Sequence, residues 1–332
     1  MSYPLSREFQ LSFEDLRPIA HGVVRPECVL ALADGRLLTG HGSGGYSVVE
    51  TDGSVRHVLA KKTHDARTYH PNGIAIAPSG QVLFAHLGMT DGGVFSIEPD
   101  GFVESVVETL DGKPLPPTNY VTVDDEGTVW FTVSTTFTPR SLAWNKSVLN
   151  GFIGKHDAKG TRIVADGLGY TNEIAFSPDG RWLYANETYA QRVSKFERRT
   201  DGSLGPRETV AQFDGADLPD GLTFDAFGGV WITCIASNRL LLVRPEGEVQ
   251  VVLADSDEKH VAKIVAGVLA GNLAFEDMQG AGNTRLGNAS SLAFGGPDMK
   301  TAYLGSLLSD CVRVFDCPIE GAKPLYYHRT LA

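Results

Sequence analysis

Residues 172–180 read Asn-Glu-Ile-Ala-Phe-Ser-Pro-Asp-Gly, and this motif recurs along the chain. Each copy begins with a polar residue, continues with a short apolar run and ends in a glycine turn. In five copies the glycine follows the leading residue by eight positions. These copies begin at Glu27, Asn72, Asn119, Asn172 and Asp220, and a weaker sixth copy begins at Ser290. A second apolar run follows every turn, so each copy predicts a hairpin of two short strands.

The leading residues of the six copies follow one another at intervals of 45, 47, 53, 48 and 70 residues. Two weaker strands follow each hairpin, as at 94–97 and 103–107. Four-stranded units that repeat every 40 to 50 residues or so are typical of β-propeller blades. We therefore predict an all-β fold, a six-bladed β-propeller whose four-stranded antiparallel blades surround a central channel, with residues 1–332 in one domain.

Two segments compete to complete the last blade of this ring. Residues 16–22 are similar to residues 161–167, which form an outer strand just before a new blade. The segment 323–328, near the other end of the chain, competes for the same place. The sequence leaves both closures open.

The composition of the chain limits the kinds of partner and the cellular location that we expect for it. The 332 residues include 29 Lys and Arg against 40 Asp and Glu, a formal net charge of −11. An acidic protein is a poor ligand for nucleic acid or anionic membranes, and no run of apolar residues is long enough for a transmembrane helix. We find no signal peptide and no CxxC pair, so we expect a cytoplasmic protein with buried, reduced cysteines.

The residues that open the six motifs are predicted to form a ring. In a propeller the first strand of each blade lines the channel, so the residues that begin these strands meet at one mouth. The ring comprises Glu27, Asn72, Asn119, Asn172, Asp220 and Ser290. Asn and Asp also occur in ordinary turns, but glutamate is a poor turn residue, and Glu27 shares the register of the others. We therefore interpret the ring as a ligand site.

The chemistry of this ring favours a divalent metal ion. Two carboxylates in a narrow channel repel each other unless one is protonated or a cation neutralises them. Carboxylate and amide oxygens suit Ca²⁺, and Mg²⁺ or Mn²⁺ are alternatives. Zn²⁺ bound only by oxygen is less usual. We predict one divalent metal ion, with Ca²⁺ favoured.

Other parts of the sequence are expected to surround the same mouth. The second strand of each blade ends there, which predicts that His41, His86, Ser134, Asn186, Glu187 and Cys234 wall the pocket. His86 and His70 are candidate proton donors, and the alternative for each is a polar histidine of the rim.

Two long connections are also expected on the mouth face. The first spans residues 135–150 and contains Phe137, Arg140, Trp144 and Lys146; the second spans residues 256–287. A helix is predicted over 257–270 with an N-cap at Ser256. Both connections are interpreted as lids, and the alternative for the helical segment 256–287 is an oligomer contact, which leaves a homo-oligomer open.

Two segments, 171–184 and 218–225, together with Glu27 in Arg-Pro-Glu at 25–27, resemble the SMP-30/gluconolactonase/LRE-like family. The resemblance extends over about residues 27–315. It implies a six-bladed propeller that holds a divalent cation in its channel and hydrolyses lactones. By position, it implies Glu27, Asn172 and Asp220 as metal ligands, Asp220 also as the general base, and Asn119 as a contact to substrate or metal.

We therefore expect a metal-dependent hydrolase of a cyclic ester, acting on a small-molecule lactone. The metal is expected to polarise the carbonyl, and Asp220 or metal-bound water to provide the base or nucleophile. The candidate substrate-binding residues are Asn119, Asn72, His86, Glu173, Tyr120 and Trp144. Apolar and aromatic residues in the long connections favour a substrate less polar than a sugar.

Two alternatives remain from the sequence. Residues 185–188, Ala-Asn-Glu-Thr, resemble a segment of the strictosidine-synthase-like propellers, which implies lyase, condensing or isomerase chemistry with Glu173 or His86 as the acid or base. The other alternative is a non-catalytic binding propeller. The two channel carboxylates argue against this alternative, because such proteins bind partners on the rim.

Overall fold

Six antiparallel sheets of four strands each form the protein. The computed structural model describes residues 3–61 and 67–332. The innermost strands of successive sheets contact one another around the full circle, and the sixth contacts the first. The predicted six-bladed β-propeller is therefore confirmed.

The strands are short, and each blade runs outward from the channel in chain order. Blade 1 contains Val29–Ala31, Leu37–Gly40, Gly45–Val49 and Val55–Leu59. Blade 2 contains Pro71–Ile76, Val82–Leu87, Gly92–Ile97 and Val103–Val107. Blade 3 contains Thr118–Val123, Val129–Val133, Gly151–Asp157 and Gly160–Leu168. Blade 4 contains Thr171–Phe176, Trp182–Glu187, Arg192–Glu197 and Glu208–Gln212. Blade 5 contains Pro219–Phe224, Val230–Cys234, Arg239–Val243 and Val249–Ala254. Blade 6 contains Ala289–Gly295, Thr301–Ser306 and Val312–Asp316.

The fourth strand of blade 6 comes from the beginning of the chain. Arg17–Ile19 pairs antiparallel with Val312–Asp316, so the first of the two predicted closures is confirmed. The last residues cross the end of the channel far from the ring instead. There Arg329 Nη1 donates to the carbonyl oxygens of Ile76 (2.7 Å) and Val123 (2.9 Å).

An aspartate fixes the turn that follows the inner strand in blade 5. Asp225 Oδ1 accepts the backbone N–H groups of Phe227 (2.8 Å) and Gly229 (2.9 Å), and its Oδ2 accepts Trp231 Nε1–H at 2.9 Å. Asp124 makes the equivalent bond to Trp130 Nε1 in blade 3. These bonds satisfy turn N–H groups that would otherwise be buried without partners, and they hold the hairpin register that the repeat shows.

The described part of the chain also contains 3₁₀ turns at Phe13–Asp15 and Arg140–Ala143, a small hairpin of Thr109–Leu110 with Lys113–Pro114, and two α-helices. Helix α1 spans Glu258–Ala270 and helix α2 spans Phe275–Gln279. The N-cap of α1 is Asp257, whose carboxylate accepts the N–H groups of Lys259 and His260. The predicted N-cap, Ser256, is wrong because its hydroxyl donates to the carbonyl oxygen of Ser237.

The apolar face of α1 packs on aromatic residues near the mouth. Buried Ile264 and Val268 belong to one cluster with Trp144, Tyr170 and Tyr189. All four cysteines are buried and free. Within residues 3–61 and 67–332 no helix has the length and apolar character needed to span a membrane.

Candidate active site

Five of the six predicted ring residues line one cleft at the mouth of the channel. The cleft is bordered by Glu27, Asn72, Asn119, Asn172 and Asp220. None of these residues is more than 6% exposed. The sixth, Ser290, supports the ring from outside the cleft, because its hydroxyl donates to the carbonyl oxygen of Glu27 at 2.7 Å.

The first strands of three blades pair irregularly with the second strands where they begin at the ring. The register of the first two strands shifts between Pro71 and Ile74 in blade 2, between Thr171 and Ile174 in blade 4, and between Pro219 and Leu222 in blade 5. A bulge changes the direction of the side chains beside it. The ring residues Asn72, Asn172 and Asp220 all lie within these shifts, which accounts for their side chains leaving the regular alternation of the strand.

Asn72 connects the first three blades at the ring. Its Nδ2 donates to Glu27 Oε1 at 2.8 Å and to Asn119 Oδ1 at 3.0 Å. Its Oδ1 accepts Nη2–H of Arg25 at 2.9 Å, and Arg25 Nη1 donates to the carbonyl oxygen of Pro71. Asn72 therefore orients two oxygen-bearing neighbours, and Arg25 orients Asn72. Arg25 was not among the predicted site residues, although its position two residues before Glu27 was a usable signal.

The second strands fix the other ring residues from behind. Asn119 Nδ2 donates to Ser134 Oγ at 3.0 Å, and Asn186 Nδ2 donates to the carbonyl oxygen of Asp220 at 2.8 Å. Asn172 Nδ2 donates to Thr188 Oγ1 at 3.1 Å and to Asp220 Oδ1. Within the described part of the chain, Asn172 Oδ1 receives no hydrogen bond, so this amide oxygen is available to a cation.

Burial dominates the electrostatics of the two ring carboxylates. It raises the pKa of Asp220 well above its usual range, and the charge of Glu27 raises that pKa further. Burial also raises the pKa of Glu27, while Arg25 and the hydrogen bond from Asn72 oppose the rise. The second carboxylate oxygen, Glu27 Oε2, is buried and has no hydrogen-bond partner among the residues that the structure describes. A bound cation would remove both costs, since it would satisfy this oxygen and favour the ionised carboxylates.

The donor set of the ring fits a hard divalent cation. Glu27 and Asp220 supply carboxylate oxygens, and Asn172 and Asn119 supply amide oxygens. Ca²⁺ takes such ligands in flexible geometry, whereas Zn²⁺ favours nitrogen and sulfur, which the ring lacks. A different group with metal-binding atoms, His21, Asp310 and Cys311, lies outside the ring, and its potential ligand atoms are within 4.8 Å of one another.

Two predicted substrate-binding residues belong to a layer beneath the ring. Tyr120 and Glu173 follow Asn119 and Asn172 along their strands, and both line a second cavity next to Leu325 and Tyr326. Their side chains hydrogen-bond to each other, and burial raises the pKa of Glu173. Gly73 leaves room for Tyr120, because a Cβ there would lie 2.4 Å from the Tyr120 ring. Neither side chain borders the mouth cleft.

The six second-strand residues do not line the cleft, so the prediction that they wall the pocket is wrong. Ser134 and Asn186 support ring residues, as described above. Glu187 is fully buried, and its carboxylate binds Arg192 Nε and Nη2, both at 2.6 Å. This buried ion pair holds the second and third strands of blade 4 together.

His86 also lies behind the cleft, where it is 1% exposed. Its Nδ1 accepts the backbone N–H of His70 at 3.0 Å, so the proton is on Nε2, which faces Asp91 Oδ2 at 3.2 Å. Burial lowers the pKa of His86, with smaller effects of the same sign from His70 and Arg67, while Asp91 opposes them. The folded protein therefore holds His86 neutral.

This neutral histidine predicts a loss of stability in mild acid. The unfolded chain binds a proton at His86 near pH 6.5, above the lowered pKa of the folded state, so stability falls as pH drops below about 6.5. Gln can accept from His70 and donate to Asp91 without titrating. Urea unfolding of the His86→Gln variant should therefore show a shallower loss between pH 6.5 and 5 than the parent shows; equal slopes would contradict the assignment.

The outer part of the cleft is built by the two long connections and by blade 4. Trp144 and Arg140 come from the connection 135–150, Met278 comes from α2, and Tyr170 and Tyr189 flank blade 4. Trp144 stacks on Phe275 with a centroid distance of 5.6 Å, and its Nε1 donates to Tyr170 Oη at 3.1 Å. The segment 256–287 thus borders the cleft through Met278.

A profile of the SMP-30/gluconolactonase/LRE-like region matches residues 91–268, more than half of the chain. The chain belongs to this family. Its similarity to curated members is low and partial. A 6-deoxy-6-sulfogluconolactonase of Pseudomonas putida is 28% identical over 160 residues, which cover 47% of this chain and 53% of that enzyme. The lactonase drp35 of Staphylococcus aureus is 23% identical over 202 residues, which cover 58% of this chain and 60% of the lactonase. The alignments thus span about half the length of these relatives.

Solved structures share the fold of this family member over nearly their whole length. A gluconolactonase of Xanthomonas campestris superposes with a TM-score of 0.64 at 19% identity, covering 92% of this chain and 90% of that one. Regucalcin of Agrobacterium tumefaciens, a calcium-binding protein, gives a TM-score of 0.63 at 15% identity and covers 95% of this chain and 96% of its own. At these identities the likeness establishes the propeller fold.

Proposed function

We propose that the protein is a metal-dependent hydrolase of lactones. The observation that carries the proposal is the convergence of Glu27, Asn119, Asn172 and Asp220 on one buried cleft, where Glu27 Oε2 has no partner. Membership of a family that includes named lactonases supports the reaction class. Glu27, Asn172 and Asp220 would hold the cation, with Asn119 completing its ligands.

A bound divalent cation would act as a Lewis acid, polarising the ester carbonyl and offsetting the charge of the tetrahedral oxyanion. Asp220 accepts the proton of a water molecule as the water oxygen bonds to the carbonyl carbon. The ester C–O bond of the lactone then breaks. The leaving oxygen takes the proton that Asp220 accepted, and the product is a hydroxy acid. Asp220 acts as the base in its ionised form, which a bound cation would favour over the protonated form.

Other residues of the cleft bind and orient the substrate in this proposal. Asn119 and Asn72 present polar groups beside the proposed ligands, and Trp144 supplies an aromatic wall. His86, Glu173 and Tyr120 are left out of the substrate site, because none of them borders the cleft. Together the walls exclude bulk water, which strengthens the interactions of the buried charges.

Addition of Ca²⁺ is expected to stabilise the protein and to support activity. At a concentration 100 times the dissociation constant, a ligand that binds only the folded state adds about 2.7 kcal/mol. We expect the melting temperature to rise with Ca²⁺ and turnover of a lactone panel to stop with chelator, while H₂¹⁸O labels the hydroxy acid. The His21→Ala variant should respond as the parent does, since its change removes only the peripheral group.

Two results would contradict this proposal. If the Ca²⁺ shift vanished in His21→Ala, the ion would be bound at the periphery. If turnover were unchanged after complete removal of metal, the reaction would not use a cation at the ring. A product without ¹⁸O would instead favour elimination or isomerisation, the chemistry of the alternative enzymatic interpretation.

A further inference from the structure

Arg140 is a positively charged residue of the cleft that has no role in the proposed hydrolytic step. It stands on the connection 135–150 and borders the same cleft as Glu27 and Asp220. Its backbone is fixed by a bond from Arg140 N to the carbonyl oxygen of Met89 at 3.2 Å. Its guanidinium lies 5.9 Å from the centre of the Trp144 ring. The connection 135–150 therefore holds this side chain at the cleft.

Most of the hydrogen-bonding capacity of this guanidinium is unused. Arg140 Nη1 donates to Tyr170 Oη at 2.7 Å, and Nε is buried without a partner. Among residues 3–61 and 67–332, no carboxylate forms an ion pair with Arg140. A guanidinium carries five N–H groups, and leaving a charged donor unpaired in a buried place is costly. An acceptor on a ligand would remove that cost.

The other arginine of the cleft differs from Arg140 in this respect. Arg25 binds the carbonyl oxygen of Pro71 and Oδ1 of Asn72, and its charge acts on Glu27. These contacts bind the Arg25 guanidinium to residues beside the ring. Arg140 instead contacts Tyr170 and Trp144, which belong with Tyr189 to one buried cluster, so the aromatic rings beside its guanidinium offer a ligand apolar surface.

We propose that the substrate is a lactone that carries a carboxylate on an apolar arm, and that Arg140 binds this carboxylate. The inference rests on the proposed lactonase function and specifies its substrate. The ester lies at the ring beside Asp220, and the arm lies along Trp144. Carboxylate is the matching anion because its two oxygens fit the planar fork of arginine, and a charged hydrogen bond in a buried cleft discriminates strongly against a neutral analogue.

The test compares a five-membered lactone bearing a carboxymethyl arm with the same lactone bearing the neutral carboxamide. We expect the parent to hydrolyse the acid with a kcat/KM at least about tenfold higher than the amide. Arg140→Met should remove this preference by raising KM for the acid with little change in kcat. Arg140→Lys, which keeps the charge but not the fork, should retain part of it.

Lys146→Met is the matched control, because it removes one positive charge from the same connection and Lys146 does not border the cleft. It should keep the full preference. Equal turnover of acid and amide by the parent would overturn the inference and leave the lactonase proposal intact, as would an unchanged preference in Arg140→Met.

A binding measurement separates the inference from catalysis. The corresponding lactams resist hydrolysis, and calorimetry in the presence of Ca²⁺ should show tighter binding of the acid lactam than of its amide. Arg140→Met should make the two equal. If the parent hydrolyses neither lactone but retains this difference in lactam binding, the reaction class is wrong and the carboxylate site stands; equal binding by the parent would overturn the site.

Discussion

Replacing Asp220 with Asn is expected to lower kcat/KM for lactone hydrolysis by about 10³-fold, within the range that loss of a general base produces. The change keeps the size of the side chain and removes its charge. It thus abolishes the proton acceptor and one of the two carboxylates at the ring. Since the variant still accepts a hydrogen bond from Asn172, its fold should be preserved.

The same variant should bind Ca²⁺ weakly, because only Glu27 then supplies a negative charge to the ring. Calorimetric titration and steady-state kinetics on the same preparation measure the two effects. Asp214→Asn is the matched control: it removes an exposed carboxylate six residues earlier and should leave both quantities unchanged. Full activity in Asp220→Asn would exclude Asp220 as the base.

Replacing Arg192 with Met is expected to lower the free energy of unfolding by about 3 kcal/mol. Glu187 is fully buried, and its carboxylate accepts two bonds from Arg192, one from Ser194 Oγ and one from the backbone N–H of Gly169. Removing one partner leaves a buried charge, which typically costs 3–5 kcal/mol. Arg207 Nη1 lies 3.8 Å from Glu187 Oε2 and keeps some attraction, so the lower end of this range applies.

Urea unfolding followed by circular dichroism measures this loss. Arg181→Met is the control, because Arg181 pairs with Glu197 on the surface, where an ion pair is worth at most about 1 kcal/mol. The double variant Arg192→Met/Glu187→Leu should recover much of the stability, since it removes the uncompensated charge. A double variant less stable than Arg192→Met would show that the loss comes from packing.

The repeat made the fold and the ring predictable from the sequence. A motif in fixed register places the leading residues of six blades at the same height around the axis, whatever their separation along the chain. For this reason Glu27, Asn172 and Asp220 could be grouped although almost 200 residues separate the first from the last.

The direction of individual side chains was less predictable. Irregular pairing at Asn172 directs this residue to the cleft, while the next residue, Glu173, lies in the layer below. Sequence patterns assign a residue to the mouth but do not reveal such a shift. Glu187 is a similar case, because its partner Arg192 lies on the next strand and neutralises it away from the pocket.

The outer part of the cleft could not be predicted in detail, because it is formed by contacts between connections that the repeat does not include. Arg140 and Tyr170 meet across 30 residues, and Trp144 stacks on Phe275 from another connection. Irregular connections have no strand register. Their length and position predict that they lie over the mouth, but the sequence does not show which of their side chains face it.

Diffraction from crystals soaked in Mn²⁺, whose anomalous signal identifies it, tests the metal site most directly. We expect one strong peak at the ring, from an ion bound by oxygens of Glu27, Asn172 and Asp220. This peak should be lost in Asp220→Asn. A peak only at His21, Asp310 and Cys311, or a ring without a bound ion at saturating metal, would contradict this expectation.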